Sequence, residues 1–490
     1  MNWPPHKVIV IGLGRSGRAA AAWLARQGAH VLAVDAADSP DLRRAAETLR
    51  TAGVEVQLAV KEPVAGPFDL AVLSPGVPLE QPLVQRLQQA GTPLWGELEL
   101  GCRFLRCPYV GITGTNGKTT TTELVERLLN HCGRRTVAAG NIGLPVCAVL
   151  EQSADYEILT LEVSSFQLET IQTFRPQVAV LMNVTPDHLD RYPGMEDYLR
   201  AKARIFINQQ PEDWAVVQCD AWEQMRAQGL GVNARRILFS ATQPGGDLWL
   251  ERGIICSRLP GWEGPLLDMR QCRLRGVHNA ENLMATLGVA YALSLPKTPA
   301  LNALKTYAPA PHRCEWVAEI KGVQYINDSK ATNVDAVRKA ILSMPQAETS
   351  GPNIWLIAGG KDKGLDFHEL GPLLAQRVKG AFLIGEMRHK MRAAWHLYVP
   401  CELVEDLPTA VKLAAGKAVA GDVVLLSPAC SSFDQFRDYQ HRGDVFRSVV
   451  LSLKNTIDCG CISLTAQHNG DAVNKTKNGG PEKAQDLTKQ

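Results

Sequence analysis

Gly114-Thr115-Asn116-Gly117-Lys118-Thr119-Thr120 lies between a short apolar run, Tyr109–Thr113, and an amphipathic stretch from about Thr121 to Asn130. Strand, glycine-rich turn, Lys-Thr and helix start together make a phosphate cradle. The glycines let backbone N–H groups face an anion, and the helix N-terminus adds positive potential. Lys118 is spaced to reach the β- and γ-phosphates of a nucleoside triphosphate, and the Thr119 hydroxyl to coordinate Mg²⁺. Ile112 stands where the strict form of this motif has its first glycine. An ordinary glycine turn is the alternative, but Gly-Lys-Thr at a helix start after an apolar strand favours ATP.

Mg²⁺ takes hard oxygen ligands. Glu162 ends the expected strand Ile158–Val163, and Asp187 and His188 follow the expected strand Val178–Val184. These positions and the phosphate loop all fall at carboxyl ends of strands, the edge at which open α/β sheets bind ligands. Lys202, in Tyr198-Leu199-Arg200-Ala201-Lys202, reads by itself as a solvated lysine on a helix.

A second glycine pattern, Gly12-Leu13-Gly14-Arg15-Ser16-Gly17, follows the apolar run Lys7–Ile11, and Asp35 closes the next run, His30–Val34. Alone it is a dinucleotide fingerprint with an acidic residue for a ribose, as in an NAD(P)-dependent dehydrogenase or a nucleotide sensor. GxGxxG does not distinguish a dinucleotide from a UDP-linked ligand. A dehydrogenase would leave the phosphate loop without a role.

The elements that must hold these loops are short β-branched runs alternating with helix-like stretches, the pattern of βαβ units and parallel sheets. Further strands are expected at Glu55–Val60, Leu70–Leu73, Val323–Asn327, Ile354–Ala358, Ala381–Ile384 and Val423–Leu426. Several are apolar on both faces, as when helices cover both sides of a sheet. The runs fall into three groups, with boundaries near Gly96 and near Ala308-Pro309-Ala310-Pro311. The expectation is an α/β chain of three domains, each a mostly parallel sheet flanked by helices: Rossmann-like over 1–96, a P-loop domain over 97–308, and Rossmann-like over 309–454. From 455 to 490 the chain turns polar and reads as a disordered tail.

The 490 residues are 45% hydrophobic and 21% charged with a net charge of +2, which gives no electrostatic case for nucleic acid or an anionic membrane. Twelve cysteines are scattered without a CxxC pair. Cys459 and Cys461 form a lone CxC in the polar tail, a chance spacing rather than a metal site. No apolar run approaches the ~20 residues of a membrane span. A reduced, cytoplasmic enzyme is expected.

Taken in order, GLGRSG, SPGVP, GITGTNGKTT, GNIGLP, EVSSFQLE, NVTPDHLDRY, YLRAK, HNAENLMA, PHRCEW, INDSKATN and SPACSSFDQF resemble the Mur ligases of peptidoglycan synthesis over about residues 6 to 452. SSFQLE, DSKATN and SPACSSFDQF resemble the branch that adds D-glutamate. Rivals within the superfamily are ligases adding L-alanine or a diamino acid, or a folylpolyglutamate-type enzyme. The resemblance implies an ATP-dependent amide-bond-forming ligase, a monomer, that joins D-glutamate to UDP-N-acetylmuramoyl-L-alanine through an acyl phosphate. It implies that Gly14, Arg15, Ser16, Gly17, Asp35, Ser74 and Gly76 line the UDP pocket and that Asn141 touches the muramoyl substrate. ATP would be held by Gly114 to Thr120, Asn282, Arg313, Asp328 and Lys330. Thr119 and Glu162 would serve one Mg²⁺, with His188 and a carbamylated Lys202 serving a second. Lys118 and His188 would stabilise the acyl phosphate and oxyanion. Thr332, Lys363, Ser432, Phe433 and Tyr439 would form the D-glutamate pocket. Lys363 is preferred to Lys361 by its register with Asp366-Phe367. Ala36-Ala37 after Asp35 departs from the polar side chains the family often offers uracil, so backbone contacts are expected there. Rotation of the C-terminal domain onto the central one is expected when ATP binds.

Overall fold

The computed structural model describes residues 4–60, 66–189, 191–274, 276–307, 311–344, 351–361 and 365–455, with the backbone of the last helix followed to His468. The described residues form three sheets. The first is wholly parallel, in the spatial order Glu55–Gln57, His30–Val34, Lys7–Ile11, Leu70–Leu73 and Leu94–Gly96. Val8 to Ile11 are all buried because helices cover both faces, which is why this strand has no alternating pattern.

The second sheet has nine strands. Its core pairs Trp214–Gln218, Val178–Leu181, Tyr109–Thr113, Leu159–Glu162 and Ala138–Gly140 in parallel. Arg235–Ser240 and Leu248–Glu251 extend it in parallel, and Ile254–Ser257 and Gly264–Asp268 complete it as an antiparallel edge. The helices Lys118–His131 and Val277–Ala292 pack on one face of this sheet with Val110, Ile112, Val180 and Met182. The third sheet runs Glu315–Ile320, Val323–Asn327, Val423–Leu426, Ile354–Gly359, Val378–Ile384 and Cys401–Leu403, parallel except for its first pair.

The helix Glu97–Phe104 joins the first two sheets. It buries Leu98 in the central core and Leu100 in the N-terminal one. Its Glu97 is fully buried, accepts from the Cys147 N–H at 2.7 Å, and is pushed up to about 7 by burial.

Several expected boundaries move. Glu55–Val60 stops at Gln57 because Ala59 takes a left-handed φ of 57°. Val178–Val184 stops at Leu181, since the next residues turn toward the phosphate loop: Asn183 O accepts from Thr115 N at 2.9 Å. The last helix, Tyr439–His468, runs through residue 455, so the polar segment begins inside a helix rather than at its end. Residues 469–490 lie outside the described residues. Among the described residues no helix is long and apolar enough to cross a membrane, and the cysteines are free thiols.

Candidate active site

The helices that follow the two glycine motifs begin without a side-chain cap. Gly14 precedes Arg15–Arg26 and Gly117 precedes Lys118–His131. Ser39, Ser164 and Asn333 cap other helices with their side chains, and the starts at Gly96, Gly194 and Gly276 are uncapped as well, so it is the glycine-rich turn before each of these two helices that leaves their N–H groups open to an anion. Both glycine turns are sterically required. A Cβ on Gly17 would lie 1.9 Å from Gly12 O, and one on Gly117 would lie 2.5 Å from Asn282 Oδ1 at a φ of +86°.

In the N-terminal turn the Asp35 carboxylate accepts from Leu13 N at 2.7 Å and from Ala37 N at 2.9 Å. It shapes the turn itself as well as closing the strand. Ser74 is buried beside Gly12, while Ser16 is half-buried and Gly76 exposed on the adjoining loop. Arg15 reaches across to the central domain and donates to Gly143 O. Gly143 belongs to the loop that carries Asn141, whose Nδ2 donates to Glu162 Oε1 at 2.7 Å. One line of contacts thus runs from the first glycine turn to the acidic residue beside the phosphate loop.

At the phosphate loop Lys118 Nζ donates to Gly114 O at 2.7 Å and to Thr115 O at 2.9 Å. Lys202 Nζ donates to the same Gly114 carbonyl at 2.9 Å. Lys202 is 1% exposed, which corrects the reading of it as a surface lysine. Burial, and next the charge of Lys118, hold its amine well below the usual lysine range. Thr119 is half-buried on the first helical turn. His188 takes a left-handed φ of 55° and sets its ring edge-on to Phe166 at 4.8 Å, with Asp187 Oδ2 3.8 Å from its Nε2.

Among the described residues no three His, Cys, Asp or Glu side chains are gathered as a metal site. The donors indicated by the sequence are of mixed kind, and one observation fits them to a hard cation. Glu162 is 2% exposed and its Oε2 has no hydrogen-bond partner. A buried carboxylate oxygen left so is costly without a cation to meet it.

A cavity of about 290 Å³ opens between the central and C-terminal sheets. It brings together Asn116, Gly117, Thr120, Asn282, Arg313, Asp328 and Lys330 of the expected ATP set. Arg313 Nη1 donates to Thr120 Oγ1 at 3.3 Å, joining the two domains. Asp328 accepts from Ser427 Oγ at 2.9 Å and Cys314 N at 3.1 Å, and burial pushes it up to about 7. Lys330 Nζ sits 3.9 Å above the Tyr439 ring.

The same cavity is lined by His278 and Asn279, which sequence reasoning misses. Both lie inside the HNAEN segment, where the family resemblance points to Asn282 alone. Burial lowers His278 to about 4, so it is a neutral imidazole at pH 7.

The expected amino-acid pocket is only partly covered. Ser432 is buried, Thr332 and Tyr439 half-buried and Phe433 68% exposed. Lys363 lies outside the described residues, and Lys361 donates its N–H to Ser431 O at 2.9 Å. Arg442, fully buried, donates to Ser329 O at 2.8 Å and Cys430 O at 3.2 Å, tying the DSKATN and SPACSS segments together.

Three family models match: a Mur ligase MurD-like N-terminal domain over 6–96, a Mur ligase middle domain over 112–290 and a Mur ligase glutamate ligase domain over 312–430. The chain is 42% identical over 455 residues to the UDP-N-acetylmuramoylalanine--D-glutamate ligase of Pelotomaculum thermopropionicum, covering 91% of this chain and 98% of that one. It is 42% identical over 452 residues to the enzyme of that name from Geobacter metallireducens, covering 91% and 97%. Its fold resembles the UDP-N-acetylmuramate-alanine ligase of Thermotoga maritima, with a TM-score of 0.57 and 19% identity over 91% of this chain and 100% of that one. It also resembles the MurF ligase of Thermotoga maritima solved with ADP, with a TM-score of 0.58 and 19% identity over 86% and 95%.

Proposed function

The chain belongs to the Mur ligase family, and from that premise we propose that it joins D-glutamate to UDP-N-acetylmuramoyl-L-alanine at the expense of ATP, in the cytoplasmic synthesis of peptidoglycan precursors. The observation that supports this reading best is the line of contacts Arg15–Gly143 and Asn141–Glu162, which leads from one uncapped glycine turn to the other. A UDP-linked substrate anchored at the first turn would lie along it with its far end at the phosphate loop. The names of the relatives supply the amino acid.

A carboxylate does not condense with an amine at neutral pH without activation. In the proposed first step an oxygen of the L-alanyl carboxylate attacks the γ-phosphorus of ATP. A C–O–P bridge forms, the bond to the β-bridging oxygen breaks, and ADP leaves. In the second step the α-amine of D-glutamate attacks the acyl carbon. The C–N bond forms, the C–O bond to phosphate breaks, and the amine gives up a proton.

Lys118 holds a positive charge against the transferring phosphoryl group, and His188 stands beside the position of the oxyanion. Asn141 orients the acceptor while holding Glu162. Arg313 and Lys330 bring charge from the C-terminal domain to the nucleotide cavity. Thr119 and Glu162, with His188 and a carbamylated Lys202, would hold Mg²⁺. Bound there, Mg²⁺ would offset the negative charge of the phosphates. The depressed basicity of Lys202 supports its modification: a neutral amine adds to CO₂, forming an N–C bond and releasing a proton.

Phosphate release measured with a panel of amino acids tests the proposal. D-glutamate alone is expected to drive turnover with the UDP-linked acceptor. Equal or faster turnover with L-alanine or a diamino acid refutes it.

A further inference from the structure

We propose, on the ligase reading above, that Asp335 is a positioning residue that fastens the C-terminal domain to the phosphate loop and couples nucleotide binding to the amino-acid site. Asp335 lies in the first turn of the helix Val334–Ser343, shortly after Thr332 and the helix cap Asn333. Its Oδ2 accepts from the side chain of Asn116, in the phosphate loop, at 2.6 Å. The same oxygen accepts from Thr185 Oγ1 at 3.1 Å, and Lys339 Nζ lies 3.0 Å away one turn along the helix. The carboxylate is 15% exposed, so these contacts are partly shielded from water.

A second arm leaves the same turn. Asn333 caps the helix by accepting from Ala336 N at 2.8 Å, and its Nδ2 donates to Asp187 Oδ2 at 3.1 Å. The C-terminal domain therefore grips two loops of the central domain, one carrying Lys118 and the other His188. The loop side is prepared for this contact. Asn183 Oδ1 accepts from Asn116 N at 2.9 Å and its Nδ2 donates to Asn116 O at 3.0 Å, leaving the Asn116 amide to point across the interface. A nucleotide in the cavity between the domains favours the arrangement in which these contacts form. Thr332, beside Asn333, is carried into place by the same movement.

The test uses the full chain with Asp335→Ala, Asp335→Asn, Thr185→Val and the Ala/Val double variant. Calorimetric titration with a non-hydrolysable ATP analogue is expected to show affinity about tenfold weaker in Asp335→Ala, the size of a lost hydrogen bond to a charged group. KM for D-glutamate should rise by a similar factor while kcat at saturation stays within about twofold. Asp335→Asn keeps an acceptor and should restore most of the affinity. The double variant should be no worse than Asp335→Ala, because both changes remove one contact. Nucleotide affinity and KM unchanged in Asp335→Ala, a loss confined to kcat, or additive losses in the double variant would overturn the latch. If Asp335→Ala does not fold, Thr185→Val decides: weaker nucleotide binding supports the latch and unchanged binding overturns it. Nucleotide titration needs no turnover. A wild-type chain that binds nucleotide but ignores D-glutamate therefore sinks the ligase reading while the latch is still tested.

Discussion

Glu162→Gln should raise stability and lower activity in the same protein. Glu162 Oε1 accepts from Asn141, and Oε2 is buried without a hydrogen-bond partner. The amide keeps the Oε1 acceptor and its shape but removes a buried negative charge. Replacing the charged carboxylate, whose Oε2 has no hydrogen-bond partner, by a neutral amide should stabilise the Mg²⁺-free protein by about 1–2 kcal/mol. For a domain of this size that is a rise in Tm of roughly 2–8 °C. The charge is what a cation at the phosphate loop needs. Its loss should reduce turnover by about 10²–10³, equivalent to roughly 3–4 kcal/mol of barrier. Thermal unfolding with and without MgCl₂ and ATP, beside a phosphate-release assay, reads both effects. The wild type should gain Tm with Mg²⁺ and nucleotide, and the variant should gain less. A variant less stable than the wild type without Mg²⁺, or one keeping turnover within about threefold, refutes the assignment of Glu162 as a cation ligand.

Lys202→Met should fold and lose about 10²–10³ of turnover. Wild-type activity should fall in CO₂-depleted buffer and return with bicarbonate, to which the variant should not respond; a wild type indifferent to bicarbonate argues against the carbamate. Glu97 gives a pH-dependent prediction. Its carboxyl rises from 4.5 to about 7 in the fold, a shift worth about 3 kcal/mol. A raised carboxyl penalises the native state once ionised, so the penalty is absent below about pH 4.5 and complete above about pH 7. Urea unfolding of Glu97→Gln should show its advantage over wild type growing across that window, and a constant difference at pH 5 and 8 would contradict the burial argument.

The parts of the fold legible from sequence are those whose cause is local. Lys7–Ile11, His30–Val34, Leu70–Leu73 and Tyr109–Thr113 have the expected bounds because each is apolar on both faces and stops at a turn. Arg235–Ser240 and Leu248–Glu251 are paired on both sides but carry charged, exposed residues at Arg235, Arg236 and Glu251, so their apolar pattern is broken and the sequence hides them. The helix expected from Thr121 begins at Lys118, because the left-handed Gly117 lets the chain start helix directly at the loop. Both glycine turns are legible for the same local reason. The contacts that assemble the site are not. Asp335 meets Asn116 from 219 positions away, and Arg442 meets Ser329 across 113. Lys202 shows the limit most clearly: its sequence neighbours make it a surface lysine, and only packing against Tyr198 and the Gly114 carbonyl makes it a buried amine held well below the usual lysine range.

In the proposed reaction ATP activates the acceptor carboxylate, which D-glutamate then captures. Acceptor labelled with ¹⁸O in its L-alanyl carboxylate, incubated with ATP, Mg²⁺ and D-glutamate, tests it most directly by mass spectrometry of the released phosphate. One ¹⁸O per phosphate is expected, formed together with the amide and only when D-glutamate is present. Unlabelled phosphate accompanying amide formation, or the same labelled yield with L-glutamate, would contradict it.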